Sequence, residues 1–184
     1  MIRSRSALAL ALMMGIAIPA TAQTVRVGGQ PMFPTKTIVS NAVNSADHTT
    51  LVAAVKAAGL VDTLSGPGPF TVFAPVNSAF AALPAGTVDT LLKPENKGTL
   101  AKVLTYHVVP GDYDSAKLRS MILAGNGKAM LKTVEGDTLT FMMNGSSNIT
   151  VADNKGDLAD ITIADVTQSN GVIHVIDKVL MPAG

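Results

Sequence analysis

The sequence predicts an α+β domain, and three observations lead there. Apolar residues recur at helical spacing through the first half, beginning at Ile38. From Lys128 onward the pattern turns to short β-branched and aromatic runs, separated by the turn signals "EGD", "NGSSN", "DNKGD" and "QSNG". Helices and strands therefore segregate instead of alternating, which argues against a parallel α/β sheet.

Each element follows from local residues. Residues 23–35, "QTVRVGGQPMFPT", hold paired glycines and two prolines and read as a flexible lead-in. The domain proper spans residues 36–182. A first helix begins at Thr37, with Ile38, Val39, Ala42 and Val43 as its stripe. A second is capped by Asp47 or Thr49, carries Leu51, Val52, Val55 and Ala58, and stops at Gly59. A helical turn at Leu60–Leu64 leads into the loop "SGPGP". "FTVFAP" (Phe70–Pro75) is a strand, after which Asn77 caps a short helix, Ser78–Leu83. Pro94 separates two more short helices, Val88–Leu92 and Lys97–Leu104. Tyr106–Val109 reads as a short strand ended by Pro110-Gly111. Ser115–Leu123 reads as helix. The remaining candidate strands are Ala129–Val134, Thr138–Met143, Ile149–Asp153, Asp160–Asp165 and Val172–Val179.

The leader "MIRSRSALALALMMGIAIPATAQ" has the form of a secretory signal peptide over residues 1–22. Two arginines precede an apolar run, Ala7–Ile18, that is shorter than the ~20 residues needed to span hydrocarbon. Pro19 breaks it, and Ala20-Thr21-Ala22 supplies small residues for cleavage. The expected product is exported, periplasmic or extracellular, with no membrane span in the mature chain. There is no cysteine, so disulfides, thiol nucleophiles and thiolate metal sites are excluded. Without Arg3 and Arg5, 12 basic residues face 13 acidic ones. Aromatic content is 4% with no Trp. That balance carries no nucleic-acid footprint.

No motif specifies catalysis, a metal or a cofactor. There is no G-x-S-x-G elbow, and His48, His107 and His174 show no H-E-x-x-H spacing. In "DNKGD" Lys155 sits where a calcium ligand would be needed. Met121, Met130, Met142 and Met143 read as adaptable core fillers. Met142 and Met143 must face opposite ways, so one can lie on an exposed apolar patch. Alternation in "NGVIHVIDKVLMP" puts Val172, His174 and Ile176 on one face, and Ile173, Val175 and Asp177 on the other. Both faces are mostly apolar, so His174 reads as a buried, hydrogen-bonded strand residue.

Three stretches together resemble fasciclin-like domains: "GPFTVFAPVNSAFAALP" (Gly68–Pro84), "LAKVLTYHVVPG" (Leu100–Gly111) and "SNGVIHVIDKVLMP" (Ser169–Pro182). The resemblance implies a wedge, with a β-sandwich-like core of about seven strands and several helices on one side. It marks Phe73, Pro75, Asn77, Asn170, Gly171, His174 and Asp177 as signature positions of structural use. It also implies a non-enzymatic protein of cell adhesion and matrix contacts. In eukaryotic members a Tyr-His pair flanked by aliphatic residues is implicated in integrin adhesion, and Tyr106-His107 matches that pattern. A second adhesion element, Asp-Ile, corresponds to Asp165-Val166. Each also has a plain structural reading. Strand alternation would let one of Tyr106 and His107 into a single-sided core, and Asp165 would be a solvated strand end.

The resulting expectation is an exported adhesion or interaction domain, monomeric or weakly oligomeric. Its partner would be a protein or glycan on a cell surface or matrix. The alternative is a periplasmic binding protein for a small apolar ligand or lipid.

Overall fold

The computed structural model describes residues 24–183, so the signal peptide expected over residues 1–22 lies outside the described residues. The lead-in, which its Gly and Pro content predicts to be irregular, contains a small hairpin. Strand β1 (Arg26–Val27) pairs with β2 (Gln30–Pro31), and Val27 and Met32 are buried. Three helices follow: α1 (Ile38–Ala42), α2 (Thr49–Ala58) and α3 (Val61–Ser65). Thr37 caps α1, and Gly59, at φ 73°, ends α2. Strand β3 (Phe70–Pro75) leads into α4 (Asn77–Ala81), α5 (Thr87–Leu91) and α6 (Lys97–Tyr106). After β4 (Val108–Pro110) comes α7 (Ser115–Ala124), capped by Asp114. The β half comprises β5 (Lys128–Lys132), β6 (Thr138–Asn144), β7 (Asn148–Ala152), β8 (Leu158–Gln168) and β9 (Gly171–Ile176).

Seven of these strands form one mixed sheet, in the order β4-β3-β9-β8-β7-β6-β5. All neighbours are antiparallel except β3 and β9, which run parallel from Phe70↔Gly171 to Pro75↔Ile176. The α+β class and the strand number agree with expectation, but "sandwich" describes the sheet only roughly. It is continuous and curls, so that the Val134 N–H reaches the Val108 carbonyl at 2.8 Å across its two ends. The near-barrel encloses one core, with Phe73, Phe141, Leu139 and Ile176 among its members. A second core lies between the helices and the outer side of β3 and β9, with Val72, Ala74, Ile173 and Val175. The central strands are thus buried on both faces, as their unbroken apolar runs require.

Three of the boundaries that differ from the sequence reading bear on the motif residues. Tyr106 ends α6 instead of opening a strand, because Leu100, Val103 and Leu104 continue the helical stripe to the end of the motif. Strand β8 does not end at Asp165. It bulges there, with Asp165 at φ 59°, and rejoins the ladder at Val166↔Ile173. Strand β9 stops at Ile176, and Asp177–Ala183 runs on without regular structure.

Candidate functional site

Tyr106 and His107 both lie in the interior, 0% and 3% exposed. Both can be buried because neither lies on a strand of the sheet, where alternation would have sent them to opposite faces. Tyr106 is the last residue of α6, and His107, still in helical geometry, faces the other way. The Tyr106 hydroxyl donates to the Thr138 carbonyl at 3.2 Å and accepts the Asn154 N–H at 3.0 Å. Burial pushes its pKa up to about 12. His107 accepts the Leu180 N–H at Nε2, 3.0 Å, so its Nδ1–H donates to the Val103 carbonyl at 2.8 Å. Burial lowers its pKa to about 4, so the ring is neutral near neutral pH.

Asp165 and Val166 do not form an exposed edge. Val166 is 1% exposed, and Asp165 is half-buried in the β8 bulge. Its left-handed backbone is one that Asp tolerates. Its carboxylate accepts the Ser115 N–H at 2.6 Å and the Ser115 hydroxyl, at the positive end of α7. The bulge also aims the Asp165 N–H at His174 Nδ1, 3.3 Å away. His174 must therefore donate from Nε2, and does so to the Tyr113 carbonyl at 2.8 Å. It is wholly buried in β9, stacked against Phe73 with ring centroids 5.5 Å apart. Burial lowers its pKa as well.

The two signature asparagines act across the chain. Asn77 does not cap its own helix, as expected, because the cap position there is Val76. Its Oδ1 accepts the Thr50 N–H at 3.0 Å and the Thr49 hydroxyl at 3.2 Å, and its amide donates to the Ala46 carbonyl. It therefore caps α2, whose own cap position, His48, supplies no side-chain bond. Asn170 is buried. It accepts the Ile38 N–H at the start of α1 and donates to the Leu64 and Gly66 carbonyls at the end of α3. Gly171 is dictated by crowding, since a Cβ there would lie 1.9 Å from the Phe70 carbonyl oxygen. Pro75 closes the parallel pair opposite Ile176. Asp177 is exposed and accepts the Asp160 N–H at 2.8 Å.

A scan against family models matches the fasciclin domain over residues 46–182. The chain belongs to the fasciclin domain family. It is 53% identical over 146 residues to Protein sll1483 of Synechocystis sp., covering 79% of this chain and 73% of that one. It is 42% identical over 133 residues to the transforming growth factor-beta-induced protein ig-h3 of Sus scrofa, covering 72% of this chain but 17% of that protein. Among solved structures it is similar to a FAS1 domain pair from the insect cell adhesion molecule Fasciclin I. The TM-score is 0.71 at 18% identity, covering 79% of this chain and 51% of that one, a likeness of fold.

Further polar residues hold the interior of this fasciclin domain together. Asn41 is fully buried, accepts the Phe33 N–H, donates to the Phe33 carbonyl and bonds Gln168, which ties the lead-in to β8. Its signal was a polar residue beside the apolar stripe of α1. His48 donates from Nε2 to the Ala74 carbonyl at 3.4 Å and accepts the Ser45 hydroxyl at Nδ1, 2.8 Å away. Burial lowers its pKa too. Asp153, in "DNKGD", accepts the Lys155 and Asp157 N–H groups and closes its own turn. All three imidazoles thus have both nitrogens committed to structural bonds. Chemically the motif residues tie segments together, and the chain's accessible chemistry lies outside them.

Proposed function

We propose that this fasciclin domain is an exported, non-enzymatic adhesion or interaction module that contacts a protein or glycan on a cell surface or matrix. The observation that carries the reading is family membership over residues 46–182, together with the likeness to a domain pair of a cell adhesion molecule. Export is supported by the signal-peptide form of the leader. Among the described residues no helix is long and apolar enough to cross a membrane. Tyr106, His107 and Val166 support the contact surface from inside, as their burial favours.

The surface itself belongs to the outer face of β5–β8. The register aligns Met130, Thr140, Ala152 and Leu158 in one row across four strands, with Met130 67% and Leu158 46% exposed. A contact surface is marked by contiguous exposed apolar area, and this row is where such area is supported best. Of the four singled-out methionines, Met143 packs against the enclosed core while Met142 lies on this outer face, as strand alternation demands.

The test is attachment. Cells lacking the protein are expected to adhere less to surfaces and to one another than the parent, and re-expression restores them. Equal attachment of the two would overturn the reading. A carrier of apolar ligands is less well supported, because the apolar cavity between the helices and β3 measures about 50 Å³. Ligand sites start at about 300 Å³. The larger groove, about 420 Å³ along Pro67–Pro69 and Thr167–Gly171, is open and partly polar.

A further inference from the structure

The described residues beyond β9 form neither helix nor strand, yet Val179, Leu180 and Pro182 among them are buried. Val179 joins the helix-side core and Leu180, 0% exposed, joins the enclosed one. Backbone N–H groups here have no ladder partner and need other acceptors. Side chains supply them. The Leu180 N–H donates to His107 Nε2 at 3.0 Å, the Met181 N–H to Asp153 Oδ2 at 3.0 Å, and the Ala183 N–H to Asp137 Oδ2 at 3.3 Å. Pro182 has no N–H to place. Every backbone donor from Leu180 to Ala183 is therefore held by an ionisable side chain.

His107 is the decisive acceptor. Its Nδ1–H is committed to the Val103 carbonyl, so the lone pair at Nε2 is the only place for a further proton. A protonated carboxyl keeps lone pairs to offer, but a protonated imidazole has none. A proton at Nε2 would set one donor against another, with Leu180 fully buried behind it.

The charged surroundings are mixed. The Asp153 carboxylate, on the strap side, favours a cation at His107. The Tyr106 ring stands edge-on at 6.5 Å. On the helix side, His48 and Lys56 line the same small cavity as His107. Asp137 and Glu135, which act on the Tyr106 hydroxyl together with Asp153, complete an acidic rim where the segment ends.

We propose that Val179–Ala183 is an acid-released strap, and that His107 is its latch. Protonation of His107 expels the Leu180 N–H, and Leu180 leaves the enclosed core while β3 and β9 stay paired. The Tyr-His pair of the central motif thereby controls whether the bed of Leu180 is covered.

Amide hydrogen exchange followed by NMR on the folded chain, from neutral pH to about pH 4, tests this. Protection factors corrected for intrinsic exchange are expected to fall about tenfold or more at Leu180 and Met181 before they fall at Phe73 and Val175. Loss of Leu180 protection only together with the strand amides would overturn the proposal. His107→Gln keeps an acceptor oxygen that does not titrate, so it is expected to hold the strap at pH values where the parent has released it. Release at the parent's pH would also overturn it. Should that variant not fold, the His107 ring nitrogen shifts of the parent decide. Protonation coincident with strap release supports the latch, and protonation at a different pH contradicts it.

Discussion

Neutral imidazole is the form that the partners of His107 and His174 require, since each ring accepts one backbone N–H and donates to one carbonyl, and this fixes how stability responds to acid. For His107 the pKa falls from 6.5 in the unfolded chain to about 4 in the fold, because burial disfavours the cation. Between those values the unfolded chain binds more protons, so stability rises with pH across the window. It is fully present above about 6.5 and is lost as the pH falls toward 4, amounting to about 3 kcal/mol from this residue alone. His48 and His174 shift the same way and add to the loss. Urea unfolding at neutral and acidic pH is the check, and a flat profile between them would contradict the assignment. The asparagines give a second expectation at this scale. Asn170→Ala strands one buried N–H and two carbonyls and is expected to cost on the order of 3 kcal/mol. Asn77→Ala, at a half-buried cap, is expected to cost about 1 kcal/mol. Thermal melts of the two variants should rank them in that order.

At the scale of elements, the parallel pair β3–β9 joins the two halves of the chain, and Gly171 opens it. Gly171→Ala would drive a methyl group into the Phe70 carbonyl oxygen, 1.9 Å from the ideal Cβ. Neither neighbour is a flexible side chain, so the variant is expected to lose more than about 3 kcal/mol or to fail to fold. A melting temperature equal to the parent's would show that the backbone relaxes there. Strand β9 was legible because its alternation puts apolar residues on both faces, which predicts burial of His174 with no tertiary knowledge. The "TYHVV" segment was not. Its β-branched residues favour a strand, while the stripe through Leu104 carries the helix two residues further, to Tyr106. Nor could the sequence reveal that Asn77 caps a helix 27 residues upstream, since the bond to the Thr50 N–H exists only once α2 and α4 meet. The Asp165 bulge was hidden for a similar reason. Its left-handed backbone is held by Ser115 and His174, which arrive from α7 and β9.

For the whole molecule, motif residues and contact residues separate. The residues that identify the family are mostly those that close its interior, so the resemblance predicts the fold more sharply than the place of contact. The curled sheet leaves the outer face of β5–β8 uncovered, with Met130 and Leu158 exposed on it, and this is the face proposed to meet a partner. Replacing both with Glu is expected to leave stability within about 1 kcal/mol of the parent's, as for surface changes generally. The same change should weaken binding. The direct measurement is a titration of the labelled, purified chain onto intact cells or isolated envelope, alongside the Met130→Glu, Leu158→Glu double variant. An adhesion module predicts saturable binding that the folded double variant loses in large part. Binding that never saturates, or that the double variant retains in full, would contradict the contact surface proposed for this fasciclin domain.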